Sequence, residues 1–266
     1  MLDQYKRKIN YLRISVTDRC NLRCTYCMPA TGIHLIPHDQ IISFEEILKI
    51  VEEGVRGGIS KIRLTGGEPL VRKGIVTLVR MIAEIPGVED LAMTTNGILL
   101  GEYAQPLAAA GLNRVNISLD TLSAKKYAEI TRGGNIASVF QGIEAAKKAG
   151  LTPVKINCVV FKNKDEEDAQ DVARFCREND LQIRFIHQMN LETGDFSIVD
   201  GGDGGDCKNC NRLRLTANGE MRPCLFNDLS FQTKETGVSK AYQLALNSKP
   251  KVGTKSLSGK FYGIGG

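Results

Sequence analysis

The sequence predicts an α/β fold built on a parallel sheet of barrel type, and three observations carry that expectation. Short β-rich runs alternate with helical stretches through six units before residue 189. Gly or Asn turn signals such as GGIS, GLN and END separate each helix from the next strand. A chain of 266 residues is long enough to bury one barrel-sized core. Repeated strand–helix–strand units of this kind make parallel neighbours through right-handed crossovers.

In order, YLRISV (11–16) reads as the first strand and FEEILKIVEEGVR (44–56) as an amphipathic helix. KIRLT (61–65) is the second strand, followed by GIVTLVRMIAEI (74–85) as a helix. VEDLAMTT (88–95) precedes the helical YAQPLAAAG, and RVNISL (114–119) precedes two helical pieces, SAKKYAEIT and ASVFQGIEAAKKAG. PVKINCVVF (153–161) is the fifth strand, DEEDAQDVARFCREND a helix, and LQIRFIHQM (181–189) the sixth strand. Beyond it, NLETGDFSIVDGGDGGD is loop-like and acidic, CKNCNRLRLTANGEMRPC follows, and the last forty residues are basic and poorly periodic. The chain therefore divides into 1–189, the strand–helix part, and 190–266, a C-terminal part expected to close the barrel.

Composition bounds the function. An apolar content of 42% and a charged content of 24% are those of a soluble globular chain. No run of 18 apolar residues exists, and MLDQYKRKINYLR has no apolar core ahead of a cleavage site, so neither a membrane span nor a secretory signal is expected. Eight cysteines in that context point to a reducing, cytoplasmic compartment and to metal binding rather than disulfides. The net charge of +5, without any block of like charges, suits an anionic small molecule and does not announce nucleic acid.

Two cysteine triplets carry the chemistry. Cys20, Cys24 and Cys27 form C-x3-C-x2-C just after the first strand, where the loops of a parallel barrel gather at the active face. A structural zinc site wants four ligands; His34 and His38 lie further along, which keeps a Cys3His site open as an alternative. A 4Fe–4S cluster held by three thiolates, with one iron left for an exogenous ligand, explains both count and placement. Cys207, Cys210 and Cys224 form a second three-ligand set, C-x2-C-x13-C, for which zinc is again the alternative. Cys158 and Cys176 fall in periodic apolar segments and read as plain buried cysteines.

C-x3-C-x2-C after the first strand, with an aromatic before the last cysteine, resembles the signature of radical S-adenosylmethionine enzymes. That resemblance implies an incomplete (β/α)6 barrel and a 4Fe–4S cluster that reductively cleaves S-adenosylmethionine to a 5′-deoxyadenosyl radical. It implies further that Gly66, Gly67 and Glu68 of GGEP, Tyr26, Thr94, Asn96, Ser118 and Asn157 contact the adenosylmethionine. Taken singly, GGEP would be an ordinary strand-to-helix turn and the hydroxyls simple turn polarity.

Around the second triplet the resemblance narrows. TDRCNLRC-YCMP, KIRLTGGEPL, TTNG, RVNISLD, KIN, CNRLRLTANGEMRPCL and the terminal GG are together similar to the GTP 3′,8-cyclase family of molybdenum cofactor biosynthesis. By that resemblance the C-terminal part carries a second 4Fe–4S cluster on Cys207, Cys210 and Cys224, binding the purine. Arg13, Lys61, Arg63, Lys155, Arg184, Arg212 and Arg214, with Met189, contact the nucleotide and its triphosphate. Arg13, Gly265 and Gly266 support catalysis. Cationic side chains from several strands converging on one lumen suit a polyanion. The reaction implied is GTP to (8S)-3′,8-cyclo-7,8-dihydroguanosine 5′-triphosphate, with an external electron donor and a downstream enzyme that forms a cyclic pyranopterin; a homodimer is compatible. The chain departs from the family in having only 17 residues between Met189 and Cys207, and His187-Gln188 ahead of that methionine. A relative acting on another nucleotide or a peptide is the alternative those departures raise. A two-cluster electron carrier would need four protein ligands per cluster.

Overall fold

Successive side chains of a strand point to opposite faces, and this sequence loads the two faces differently. Leu12, Ile14, Ile62, Leu64, Leu91, Met93, Val115, Ile117, Ile156 and Cys158 are buried in one continuous core. The residues between them, among them Arg13, Ser15, Arg63, Thr65, Asn116, Ser118 and Asn157, are polar or charged. One face of the sheet thus packs on helices while the other builds a lumen.

In the computed structural model, which describes residues 1–257 and 261–264, all six expected strands form. They are β1 (Tyr11–Ser15), β2 (Lys61–Thr65), β3 (Asp90–Thr95), β4 (Arg114–Ser118), β5 (Lys155–Val160) and β6 (Gln182–His187). The helices between them are α1 (Phe44–Arg56), α2 (Ile75–Ala83), α3 (Leu100–Ala109), α4 (Ala124–Thr131), α5 (Ile136–Lys148) and α6 (Glu167–Glu178). Their starts are set locally. Ser43 and Glu46 form a reciprocal capping box at α1, at 3.2 and 2.7 Å, an arrangement of about 1 kcal/mol.

The C-terminal part is more regular than its composition suggests. β7 (Arg212–Leu215), β8 (Glu220–Arg222) and β9 (Phe231–Gln232) extend the sheet, followed by α7 (Thr233–Thr236), α8 (Val238–Asn247) and α9 (Phe261–Ile264). Strand order is β6-β5-β4-β3-β2-β1-β7-β8-β9. β7 pairs in parallel with β1, with Tyr11 opposite Arg212 and Arg13 opposite Arg214, and the last two pairings are antiparallel. The stretch read as poorly periodic contains α8, which buries Ala241, Tyr242, Ala245 and Leu246. Its Tyr242 hydroxyl donates to the Ile50 carbonyl at 3.0 Å. Gly54 makes room, since a Cβ there would lie 2.4 Å from that hydroxyl.

β6 and β7 do not pair with each other. The segment after β6 spans the gap: Asp200 and Phe185 exchange backbone hydrogen bonds at 3.1 and 3.0 Å, and residues 199 and 202–207 line the lumen. Side chains from β1, β2, β5, β6 and β7 meet around one cavity. The sheet is therefore curled into a partial barrel. Among the described residues no helix is long and apolar enough to cross a membrane.

Candidate active site

The lumen holds two cavities with a common wall. Asn157, Ile186 and Met189 line both.

The first cavity is lined by Cys20, Cys24 and Cys27 together with Tyr26, Gly66, Gly67, Glu68, Thr94, Asn96, Ser118 and Gln188. The cysteine loop is held from several sides. Arg23 and Thr25 donate backbone N–H groups to Thr131 and Ile130 at the end of α4. Arg132, in the left-handed region at φ 55°, donates to the Arg23 and Met28 carbonyls at 2.7 and 2.9 Å. The two glycines of GGEP let β2 lie against residues 17–19. Gly67 and Glu68 donate to the Thr17 and Arg19 carbonyls, both at 2.8 Å. A Cβ on Gly66 would sit 2.5 Å from the Thr17 oxygen, and one on Gly67 2.4 Å from the Arg19 oxygen. With those N–H groups spent, what the motif has to offer an ammonium group is carbonyl oxygen.

Glu68 is engaged inside the protein. Its carboxylate accepts from Leu70 N at 3.1 Å, the Thr95 hydroxyl at 2.7 Å and Asn96 N at 2.7 Å. Burial nevertheless pushes its carboxyl up to about 7, against the pull of those donors. Asn96 in turn donates its side-chain amide to Asn21 at 2.7 Å and towards Cys20 Sγ at 3.8 Å. The acid that the sequence assigns to a ligand thus braces the loop beside the first cysteine. Thr94 Oγ1 and Asn157 Oδ1 are buried without a protein partner. They are the groups through which this cavity can hold a polar ligand.

Burial, then Cys27 and Asp120, push the Cys24 thiol up to about 12; burial and Cys20 push Cys27 up to about 11. Such thiols become ligands only when a cationic centre stabilises the thiolate. Among the described residues no three His, Cys, Asp or Glu side chains gather around a position for a single metal ion. Three thiols on one cavity wall are the donor set of a 4Fe–4S cluster that leaves one iron to an exogenous ligand. Tyr26, between two of the cysteines, donates its hydroxyl to Asp120 at 2.9 Å.

The second cavity is cationic. Arg13, Arg63, Arg184, Arg212 and Arg214 line it with Tyr11, Met189, Lys249, Cys207, Cys210 and Cys224. Arg63 and Arg212 each hold the guanidinium carbon 5.5 Å from the Tyr11 ring centre. The Asn116 amide oxygen, oriented to accept, lies 2.9 Å from Arg63 Nη1 and 3.1 Å from Arg184 Nη1. Burial first, then neighbouring guanidiniums, lower Arg13 well below the usual arginine value and Arg214 to about 10. Guanidiniums this close repel one another, so a bound anion relieves them. Tyr11 Oη, Arg63 Nε and Arg212 Nε are buried without a hydrogen-bond partner.

Lys61 and Lys155, expected with these arginines, are not on the cavity wall. They occupy the first positions of β2 and β5, away from the strand ends that carry the loops. Gly265 and Gly266 lie outside the described residues. Ile264, just before them, is buried against Leu191, Leu225 and Phe226, of which the last two line the cationic cavity.

Sequence reasoning missed Tyr11, Asn116 and Lys249. Lys249 is almost wholly buried, and its ammonium donates to the Arg212 and Pro223 carbonyls, each at 2.7 Å. Burial raises the Cys210 thiol, but Lys249 and the Arg212 backbone N–H more than reverse that and hold it below its ordinary value. Arg7 braces the same corner by donating to the Cys207, Lys251 and Pro250 carbonyls. Asn116 alone had a legible signal, an amide flanked by Val115 and Ile117 inside a buried strand. Lys249 lies in a sequence that reads as surface.

Residues 14–176 match the family model described as the Radical SAM superfamily. A curated protein named GTP 3′,8-cyclase from Moorella thermoacetica is 45% identical over 94% of each chain. Proteins of the same name from Thermodesulfovibrio yellowstonii and Petrotoga mobilis are 44% identical over 88% of this chain and 87% of the relative, and 40% identical over 94% of each. The Moorella alignment runs over 304 positions and covers 94% of the 266 residues here, so about 54 of its positions are gaps in this chain. Among solved structures, Streptococcus suis SuiB bound to S-adenosylmethionine matches with a TM-score of 0.66 at 16% identity, covering 89% of this chain and 66% of SuiB. Methylornithine synthase (PylB) matches at 0.57 and 18%, covering 69% and 54%. At these identities the structural likeness speaks to the fold.

Proposed function

The chain belongs to the radical SAM superfamily and, within it, to the GTP 3′,8-cyclase family, and from that premise we propose that it converts GTP to (8S)-3′,8-cyclo-7,8-dihydroguanosine 5′-triphosphate. The observation that carries this reading is the shared wall. A cavity of thiols, hydroxyls and amides abuts a cavity of arginines with a second set of thiols, and among the described residues only Asn157, Ile186 and Met189 belong to both. Chemistry begun in the first can reach a substrate anchored in the second, and holding both partners in place removes most of the entropic barrier.

The 4Fe–4S cluster of the superfamily, with S-adenosylmethionine, supplies a 5′-deoxyadenosyl radical. Cys20, Cys24 and Cys27 would hold the cluster. The partnerless Thr94 hydroxyl and Asn157 amide oxygen, Ser118 and the GGEP carbonyls would bind the adenosylmethionine, while Glu68 and Asn96 keep the cysteine loop in register. Arg63, Arg184, Arg212 and Arg214 would take the triphosphate through charge-assisted hydrogen bonds. Arg13, in the middle of β1, lines the arginine cavity and would serve as its central cation. Cys207, Cys210 and Cys224 would hold a second 4Fe–4S cluster near the purine, with Lys249 supplying positive charge beside Cys210. Gly265 and Gly266, by the family resemblance, would support catalysis. An external reductant is required, and the product feeds a downstream enzyme that forms a cyclic pyranopterin.

The gaps against the Moorella relative favour one second reading, in which the same machinery acts on another nucleotide or a peptide. GTP deuterated at C3′ decides between them. Deuterium should appear in 5′-deoxyadenosine under anaerobic turnover. Its absence, in protein that forms labelled 5′-deoxyadenosine from another deuterated compound, would remove the cyclase reading and leave the radical chemistry.

A further inference from the structure

The short segment after β6 does more than span the barrel's open edge. Its VDGGDGGD stretch turns tightly, with Val199 donating to Gly204 at 2.8 Å and Gly202 to Val199 at 3.1 Å. The exchange between Asp200 and Phe185 pins it to β6. Gly205, at φ +79°, runs so close to Ser197 that a Cβ would lie 2.0 Å from that carbonyl. The turn delivers Asp203 to the cationic cavity. Its carboxylate lies 3.1 Å from Arg212 Nη2, which also donates to the Asp203 backbone carbonyl at 3.1 Å. Arg184 Nε donates to the Gly201 carbonyl next door at 3.3 Å. The pair is asymmetric: the Arg212 side chain is 12% exposed and that of Asp203 69%. The cation is fixed in the wall, and the anion arrives from the solvent side.

We propose that Asp203 is a built-in competitor for the polyphosphate, occupying on Arg212 a place that a phosphate oxygen takes, so that nucleotide entry requires the 199–206 turn to yield. This rests on the reading that the arginine cavity binds the triphosphate. Carboxylate and phosphate oxygens make the same charge-assisted contacts with a guanidinium fork, so the two exclude each other at Nη2. Phosphate wins on charge, and the carboxylate raises the threshold. A monophosphate that never reaches Arg212 gains nothing from removing Asp203. The carboxylate is therefore a device for setting affinity and for grading tri- against monophosphate.

Equilibrium binding tests this without turnover. GTP and GMP are titrated calorimetrically, with and without Mg²⁺, into anaerobically reconstituted wild type, Asp203→Asn, Asp203→Ser, Arg212→Ala and the Asp203→Asn/Arg212→Ala double variant. Freeing an exposed ion pair of this kind should tighten GTP roughly 2- to 5-fold, leave GMP unchanged, and give the same direction for Asn and Ser. In the Arg212→Ala background, which weakens GTP, Asp203→Asn should have no effect. Unchanged or weaker GTP binding in both Asp203 variants, with Arg212→Ala still weakening it, overturns the inference while the triphosphate reading stands. Unchanged GTP affinity in Arg212→Ala overturns both.

Discussion

Gly67→Ala is the sharpest test of how the first cysteine loop is held. The new Cβ would lie 2.4 Å from the Arg19 carbonyl oxygen, 2.6 Å from its carbon and 2.8 Å from the Asp18 oxygen. All three are backbone atoms, so no rotamer change relieves the contact and the strands must part. Overpacking of this sort costs about 1–3 kcal/mol. Parting also lengthens the two 2.8 Å bonds from Gly67 and Glu68 to Thr17 and Arg19, about 0.5–1.5 kcal/mol each. A loss of about 2–6 kcal/mol follows, read by urea denaturation of substrate-free protein. Hydrogen exchange should accelerate over residues 17–28, and reconstituted iron should fall at the first triplet while the second keeps its share. Gly101→Ala is the matched control. It lies near the start of α3 with no heavy atom within 4 Å of a new Cβ, and should stabilise by up to about 1 kcal/mol. If Gly67→Ala costs no more than Gly101→Ala and exchange over 17–28 is unaltered, the close approach is not what holds the loop.

Three further outcomes are expected. Replacing Cys20, Cys24 and Cys27 by alanine should lower reconstituted iron from about eight to about four per chain and abolish 5′-deoxyadenosine; zinc at the second triplet in native protein would defeat the two-cluster reading. Lys249→Met leaves the Arg212 and Pro223 carbonyls without their donor, a cost of about 1–3 kcal/mol for each buried group. Iron should then be lost from the second triplet alone on anaerobic gel filtration, and full retention would show that Lys249 is not needed to organise it. Because burial raises Glu68 to about 7 from 4.5, its share of stability is present below pH 4.5 and lost as pH rises through 7. Wild type should lose about 3 kcal/mol relative to Glu68→Gln across that window, and parallel stability–pH curves would refute the raised value.

How much was legible follows from the physics of each element. The six strands were readable because each is a short run with apolar or β-branched residues between turn signals, and the cysteine spacing was readable because loop ligands stay local in sequence. Arg13, Arg63, Arg184, Arg212 and Arg214 were assigned to one site by the family resemblance, and all five line one cavity. Lys61 and Lys155 have the same phase and open their strands, as the lining Arg212 does, so neither phase nor position along the strand separates them from the lining cations. β7 was hidden because RLRL is four residues long and lies inside a cysteine motif. α8 was legible in principle, with Val238, Ala241, Tyr242 and Ala245 at helical spacing, yet the surrounding charge masked it. Lys249 was beyond reach, since its partners are two backbone carbonyls from distant segments.

The division of the lumen has a consequence for order of events. The first cavity offers neutral acceptors and thiols, and its one buried carboxylate is turned into the protein by three donors. The second concentrates five guanidiniums around Tyr11. An anionic nucleotide is therefore drawn to the second cavity by charge and has nothing to pair with in the first. A ligand that brings its own ammonium group meets carbonyl oxygens in the first and repulsion in the second. On the proposed reading, charge alone would sort the two small molecules into adjacent compartments before any base or ribose contact is made. The wall between them, Asn157, Ile186 and Met189, carries no charge, so it separates the ligands without binding either tightly. Asn157 has an amide oxygen still to be satisfied on that wall, and that places the one polar contact available to both ligands at the point where they must meet.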